Sequence, residues 1–418
     1  MKRMYIFLIG ITAAVSIAGI LLDRFTTRSL ASFSTLTPTV AELQQKYIQA
    51  SANGSRVRIL IVPGHEPNFG GAEYQNIYER NITVGIADQL ALYLKQNPKL
   101  EIIVARSNTD WNITLADYFT TQWSAIQSFI DSKKESMEKA VTNGSILQRS
   151  LNDQVDHHAA PANVALRLYG INKWVNENNI DLVIHLHIND TTDHGLNEPS
   201  ANSGFAVYVP DTQYGNASTS LPIGKAIAQR LAAMNATSSL PVENKGVVED
   251  QELIAIGASD TLSVPSVLVE YSYITEPKFA HSELLATVTK DFAYETYLGL
   301  QDFFKDSVAS KYPTASLPFR FSGTPALGTA SSAVYSLQAG LHTLGYYPAA
   351  SSTFAASLAK IQKTSSSTPT LFNECEISGV MDACTRDAIS AFQKSRGWKS
   401  TGKLGPMTIT ALNKVFGV

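Results

Sequence analysis

From Val57 onward the chain alternates short apolar runs with amphipathic stretches, and this alternation restricts the possible folds more than any other feature. VRILIVP (57–63) is followed by ITVGIADQLALYLKQ (82–96), EIIVAR (101–106), VALRLYGINKWVNENN (164–179) and DLVIHLHI (181–188). Short runs that are apolar on both faces read as strands covered on both sides, and the 3.6-residue patterns between them read as crossover helices. GFAVYVP (204–210) and SVLVEYSY (266–273) add strands, with helical IGKAIAQRLAAMN (223–235) between them. The expected architecture over residues 56–306 is α/β: an open, largely parallel twisted sheet flanked by helices. Residues 110–160 break the alternation as an insertion or lid, with a helical pattern from Leu115 to Val141.

The flanks read differently. Behind Lys2 and Arg3, the uncharged run from Met4 to Leu22 is long enough to cross a hydrocarbon core of roughly 30 Å. It exceeds a signal-peptide apolar region of roughly 7–15 residues and ends at Asp23-Arg24 without a small-x-small cleavage site. Residues 1–24 are therefore expected to be an N-terminal transmembrane helix in the inner membrane, with a cleaved signal as the alternative. Lys2 and Arg3 stay cytoplasmic, which makes everything beyond residue 24 extracytoplasmic. Residues 25–55, rich in Ser, Thr and Ala, read as a spacer with one helical candidate at 40–50, and 307–330 read as a linker. Basic and acidic residues, 33 and 36 of them, are mixed without a polybasic stripe, so nucleic acid is not an expected partner. Cys375 and Cys384 either form a disulfide or are two small buried apolar side chains.

Open α/β sheets bind ligands beyond the carboxyl ends of their strands. His65 follows the first strand, His187 ends DLVIHLHI, Glu270 ends SVLVE, and Glu79 opens the helix after the first strand. A catalytic zinc ion takes three protein ligands, commonly two His and a carboxylate, and keeps one position open for water. His65, Glu79 and His187 meet that count for Zn²⁺, and Glu270 is left as an uncoordinated carboxylate beside them. His185, two residues before His187 on the same strand face, is a second candidate to approach the metal.

VPGH (62–65), GGA (70–72) and YERN (78–81), then ARSNTD (105–110), HLHIN (185–189) and PSVLVE (265–270), together resemble the zinc-dependent N-acetylmuramoyl-L-alanine amidases, hydrolases of bacterial cell-wall peptidoglycan. Val62 stands where that family usually has Asp, Glu66 where it has Gly, and His185 where it has Ser. The resemblance implies cleavage of the amide between N-acetylmuramic acid and the L-alanine of the stem peptide, with Glu270 as general base and an activator protein as a possible further partner. Two competing expectations remain: a wall-binding protein that has lost activity, motivated by Val62 and His185, and a zinc peptidase acting on stem peptides. Residues 331–418 carry helical stripes at Leu337, Leu341 and Leu344 and at Ala388, Ile389 and Phe392, the pattern of a small helical domain. Their order of motifs resembles the peptidoglycan-binding-like domain. On a flexible linker, such a module raises the local substrate concentration at the hydrolase.

Overall fold

The computed structural model describes residues 37–150, 160–192, 194–306, 317–347 and 375–418. Its centre is a six-stranded sheet. β1 (Val57–Pro63) lies between β4 (Leu100–Val104) and β5 (Leu182–Asn189), and β8 (Ser266–Tyr273) follows β5, all four parallel. Beyond β8 come β6 (Ala206–Pro210), antiparallel to it, and β7 (Val247–Asp250), parallel to β6. A two-stranded ribbon, β2 (Glu73–Tyr74) with β3 (Ile77–Tyr78), precedes α2 (Glu79–Leu94), whose predecessor is α1 (Val40–Gln49). The expected largely parallel sheet is present, with one reversed edge.

Alternate residues of each strand feed opposite faces. Ile59, Ile61, Ile184, Leu186, Val267 and Val269 pack under α2, α6 (Ala217–Leu231) and α7 (Ser282–Phe304). Leu60, Val62 and Val183 face the other way, under α3 (Ile113–Thr121), α4 (Trp123–Thr142) and α5 (Ala162–Glu177). On that second face a separate small cluster holds Tyr208 and Leu268 against Leu253 and Ile256.

Two expectations change here, and a third lies outside the described residues. The helix expected from Leu115 to Val141 is two helices, because the backbone leaves helical geometry at Gln122 (φ −107°, ψ 13°). Leu115, Phe119, Ile126 and Ile130 bury the pair against α5, whereas Trp123 is exposed. The stretch expected to be spacer contains α1, which starts with a Thr39–Glu42 capping box, buries Leu43 and Tyr47, and ties Lys46 to Asp181 at 2.7 Å. The transmembrane expectation falls on residues outside those described; among the described residues no helix is long and apolar enough to cross a membrane.

The C-terminal residues form α8 (Ser332–Thr343), α9 (Ala383–Ser395) and α10 (Pro406–Phe416), with a disulfide joining Cys375 and Cys384 (Cα–Cα 5.7 Å). Residues 317–330, expected to be linker, are packed: Leu317 and Phe321 are buried, and the Phe321 N–H donates to Asn413 Oδ1 at 2.8 Å. This unit is seated on α7. Val334 and Leu337 share one apolar core with Leu284 and Val288, and the Tyr335 hydroxyl donates to Asp291 at 3.1 Å. Lys278, 2 % exposed, lies 2.8 Å from Glu276 and 3.6 Å from Glu376 of the C-terminal unit.

Candidate active site

Register builds the site. His187 of β5 is paired with Glu270 of β8 in parallel strands, so their side chains stand side by side on one face. β1 ends one step before Gly64, whose N–H donates to the Leu186 carbonyl at 2.8 Å and brings the turn onto β5. A Cβ at Gly64 would lie 2.5 Å from His187 Cε1, so only glycine fits. The chain then enters the left-handed region at His65 (φ 68°), a strained conformation of the kind kept at functional sites. Buried Arg106 braces this turn, donating to the Pro63 carbonyl at 3.2 Å, the Arg80 carbonyl at 3.0 Å, and the Gly64 carbonyl. Burial pushes its guanidinium down to about 10.

Glu79 heads α2 with its carboxylate aimed into this turn. Oε2 lies 2.8 Å from His65 Nε2 and accepts from the Ala72 N–H at 2.8 Å. Oε1 lies 3.0 Å from His187 Nδ1 and accepts from the Ile188 N–H at 3.0 Å. One donor atom from each of His65, Glu79 and His187 falls within 4.8 Å of the others, the clustering that a shared cation requires. Burial alone would raise the Glu79 carboxyl, but His65 and His187 hold it well below the usual carboxylate range. Two imidazoles and one carboxylate are the donor chemistry of a zinc site with an open position.

His185 is not in this cluster. It is buried, neither ring nitrogen has a hydrogen-bond partner among the described residues, and burial with His187 nearby pushes it down to about 3. Glu270 is likewise buried, with Oε2 unpartnered among the described residues. Burial, then the charges of Glu79 and Glu243, raise its carboxyl well above the ordinary value. Val62, at the position where a carboxylate is usual in the resembled family, is packed into the apolar cluster under α5.

These groups open into a cleft of about 440 Å³. From residues 110–160 only Trp111 and Ala160, among those described, line it, so α3 and α4 form no wall of the cleft. Glu66 stands in the wall with both oxygens engaged: Trp111 Nε1 donates to one at 2.9 Å and Arg167 Nε to the other at 2.8 Å. Two residues escaped sequence reading. Glu243, fully buried, accepts from Asn189 at 2.9 Å, Tyr208 at 2.5 Å and Tyr273 at 2.9 Å, a role that no local pattern signals. Arg167 did leave a signal, a cation at helical spacing among Val164, Leu168 and Ile171.

The profile of the family described as N-acetylmuramoyl-L-alanine amidase matches residues 59–302, more than half of the chain. The chain belongs to this amidase family. It is a peptidoglycan hydrolase. A second profile, described as "Putative peptidoglycan binding domain", matches residues 370–412. Among solved structures, the CwlD amidase from Clostridioides difficile in complex with the GerS lipoprotein is similar at 15% identity and TM-score 0.39, over 60% of this chain and 99% of that one. The amidase Ami1 from Mycobacterium smegmatis is similar at 14% identity and TM-score 0.40, over 62% of this chain and 100% of that one. No curated protein matches the chain.

Proposed function

We propose that this amidase is a zinc enzyme whose metal is held by His65, Glu79 and His187, and that it hydrolyses the amide between N-acetylmuramic acid and L-alanine with Glu270 as general base. The convergence of those three donor sets beside an unpartnered buried carboxylate oxygen carries the reading. Bound there, Zn²⁺ would polarise the amide carbonyl and lower the pKa of a water toward ~7. The protein's own contribution is positional and protonic. The Ala72 and Ile188 N–H groups fix both oxygens of Glu79, and Arg106 holds the turn that presents His65. Glu270 accepts the proton of the attacking water and returns it to the nitrogen of departing L-alanine. We further propose that the chain acts outside the cytoplasm and is anchored through residues 1–24, in keeping with a wall substrate and the Cys375–Cys384 disulfide.

Metal analysis of the purified chain and of His65→Ala, Glu79→Ala and His187→Ala tests the centre. About one zinc per chain is expected in the parent and a large loss in each variant, with hydrolysis abolished. Full zinc occupancy in a variant removes that residue from the site. Mass spectrometry of digested sacculi tests the bond: intact stem peptides freed from glycan are expected, and shortened peptides still attached to glycan would identify a peptidase instead.

A further inference from the structure

We infer that Arg167 is a carboxylate-recognition residue that sets which side of the cleft receives the stem peptide, an inference that rests on the amidase reading and extends it. Arg167 is the only Lys or Arg among the described residues lining the cleft. Its position is built: Nε donates to Glu66 Oε1 at 2.8 Å, and the other oxygen of Glu66 is held by Trp111 Nε1 at 2.9 Å. Glu66 itself is 8 % exposed and directly follows His65, so the guanidinium is placed one side chain away from the proposed ligands.

Using Nε for Glu66 leaves the two terminal amino groups. Neither has a protein partner among the described residues, and the side chain remains 23% exposed. Together they form the fork that takes a carboxylate end-on with two hydrogen bonds. The substrate supplies an anion on one side only. The acid of N-acetylmuramic acid is consumed in the scissile amide, whereas a γ-linked glutamyl residue after L-alanine keeps a free α-carboxylate. That carboxylate would lie one residue from the reacting carbonyl, on the leaving side. Glu66 neutralises part of the Arg167 charge and fixes its orientation, so the cation is preorganised without being consumed. An amide in place of the carboxylate would leave a donor facing donors, and so would be bound less well.

The test uses the full chain and two non-hydrolysable leaving-side compounds: L-alanyl-D-glutamic acid γ-methylamide, and the same compound with its α-carboxylate replaced by a primary amide. Binding is read by NMR titration up to 10 mM, roughly the ceiling for a weak fragment. The carboxylate compound is expected to bind at least about 10-fold more tightly. Arg167→Gln should erase that difference and Arg167→Lys should retain part of it, with thermal midpoints confirming that both variants are folded. Equal affinity in the parent chain, no binding of either compound, or an undiminished difference in Arg167→Gln overturns the assignment. Turnover of the corresponding muramyl compounds by the parent chain is scored separately. Cleavage of the muramyl amide supports the amidase reading whatever Arg167 does, and its failure would not disturb a binding difference. In turnover, Arg167→Gln should raise KM for the carboxylate substrate about 10-fold and change kcat little; an equal loss on both substrates would reduce Arg167 to a brace for Glu66.

Discussion

Glu270 and His187 lie side by side because β5 and β8 run parallel in register, although the two residues are far apart along the chain. Replacing Glu270 by Gln keeps the shape and removes the ability to take a proton. The expected outcome is unchanged zinc content with kcat on a soluble muropeptide lowered about 10²-fold or more. A variant that retains parental turnover would end the general-base assignment. At this scale much was legible: His65, His187 and Glu270 each close an apolar run, and Glu79 opens a helical pattern, so all four could be placed at one sheet edge. What could not be read is everything set by contact between distant segments. Gly64 is constrained by the ring of His187, and Glu243 is a buried acceptor for three groups from three separate places. Neither residue differs in its local sequence from an ordinary turn or surface position.

Among the elements, α7 shows what burial costs an ionisable residue. It is covered by the sheet on one side and by α8 on another, and Glu295 on it is 8 % exposed. Burial, then the charge of Asp291, pushes its carboxyl up to about 8. The folded state thus holds a proton that the unfolded state releases near the ordinary value, so between roughly pH 4.5 and pH 8 folding loses stability as pH rises. Glu295→Gln should remove that slope. The thermal midpoint of the variant relative to the parent is expected to rise between pH 5 and pH 8.5, and a constant difference would show that Glu295 titrates normally. Element identity was largely legible because period-2 and period-3.6 patterns are local. The reversed direction of β6 and β7 was not, since strand direction depends on how the connections route the chain. The break at Gln122 was not either, since the apolar spacing runs on through it into two helices packed on the same face of α5.

Across the whole molecule, the C-terminal unit is built into the body. Removing residues 317–418 would uncover Leu284 and Val288 on α7, strip Asp291 of Tyr335, and take Glu376 from the buried ammonium of Lys278. Uncovering apolar side chains at about 1.5–3 kcal/mol each predicts a marked loss of stability. We expect the truncated chain to melt about 10 °C lower or more, to bind an apolar dye, and to lose activity on soluble muropeptides as well as on sacculi. An unchanged midpoint with unchanged soluble turnover would restore the picture of a freely tethered module. Sequence composition favoured that picture, because residues 307–330 carry Pro, Gly, Ser and Ala without periodicity, and the contacts that fix 317–330 come from Asn413 and Leu404, much later in the chain.

A grip and a blade mounted on one frame act as a gauge. With the C-terminal unit locked to α7, its distance from the cleft is a constant of the fold, so if that unit holds the wall, its point of attachment on a glycan strand determines which stem peptide can be reached. On long strands such an enzyme would leave a spacing in its cuts that mirrors its own dimensions, where a leashed blade would leave none.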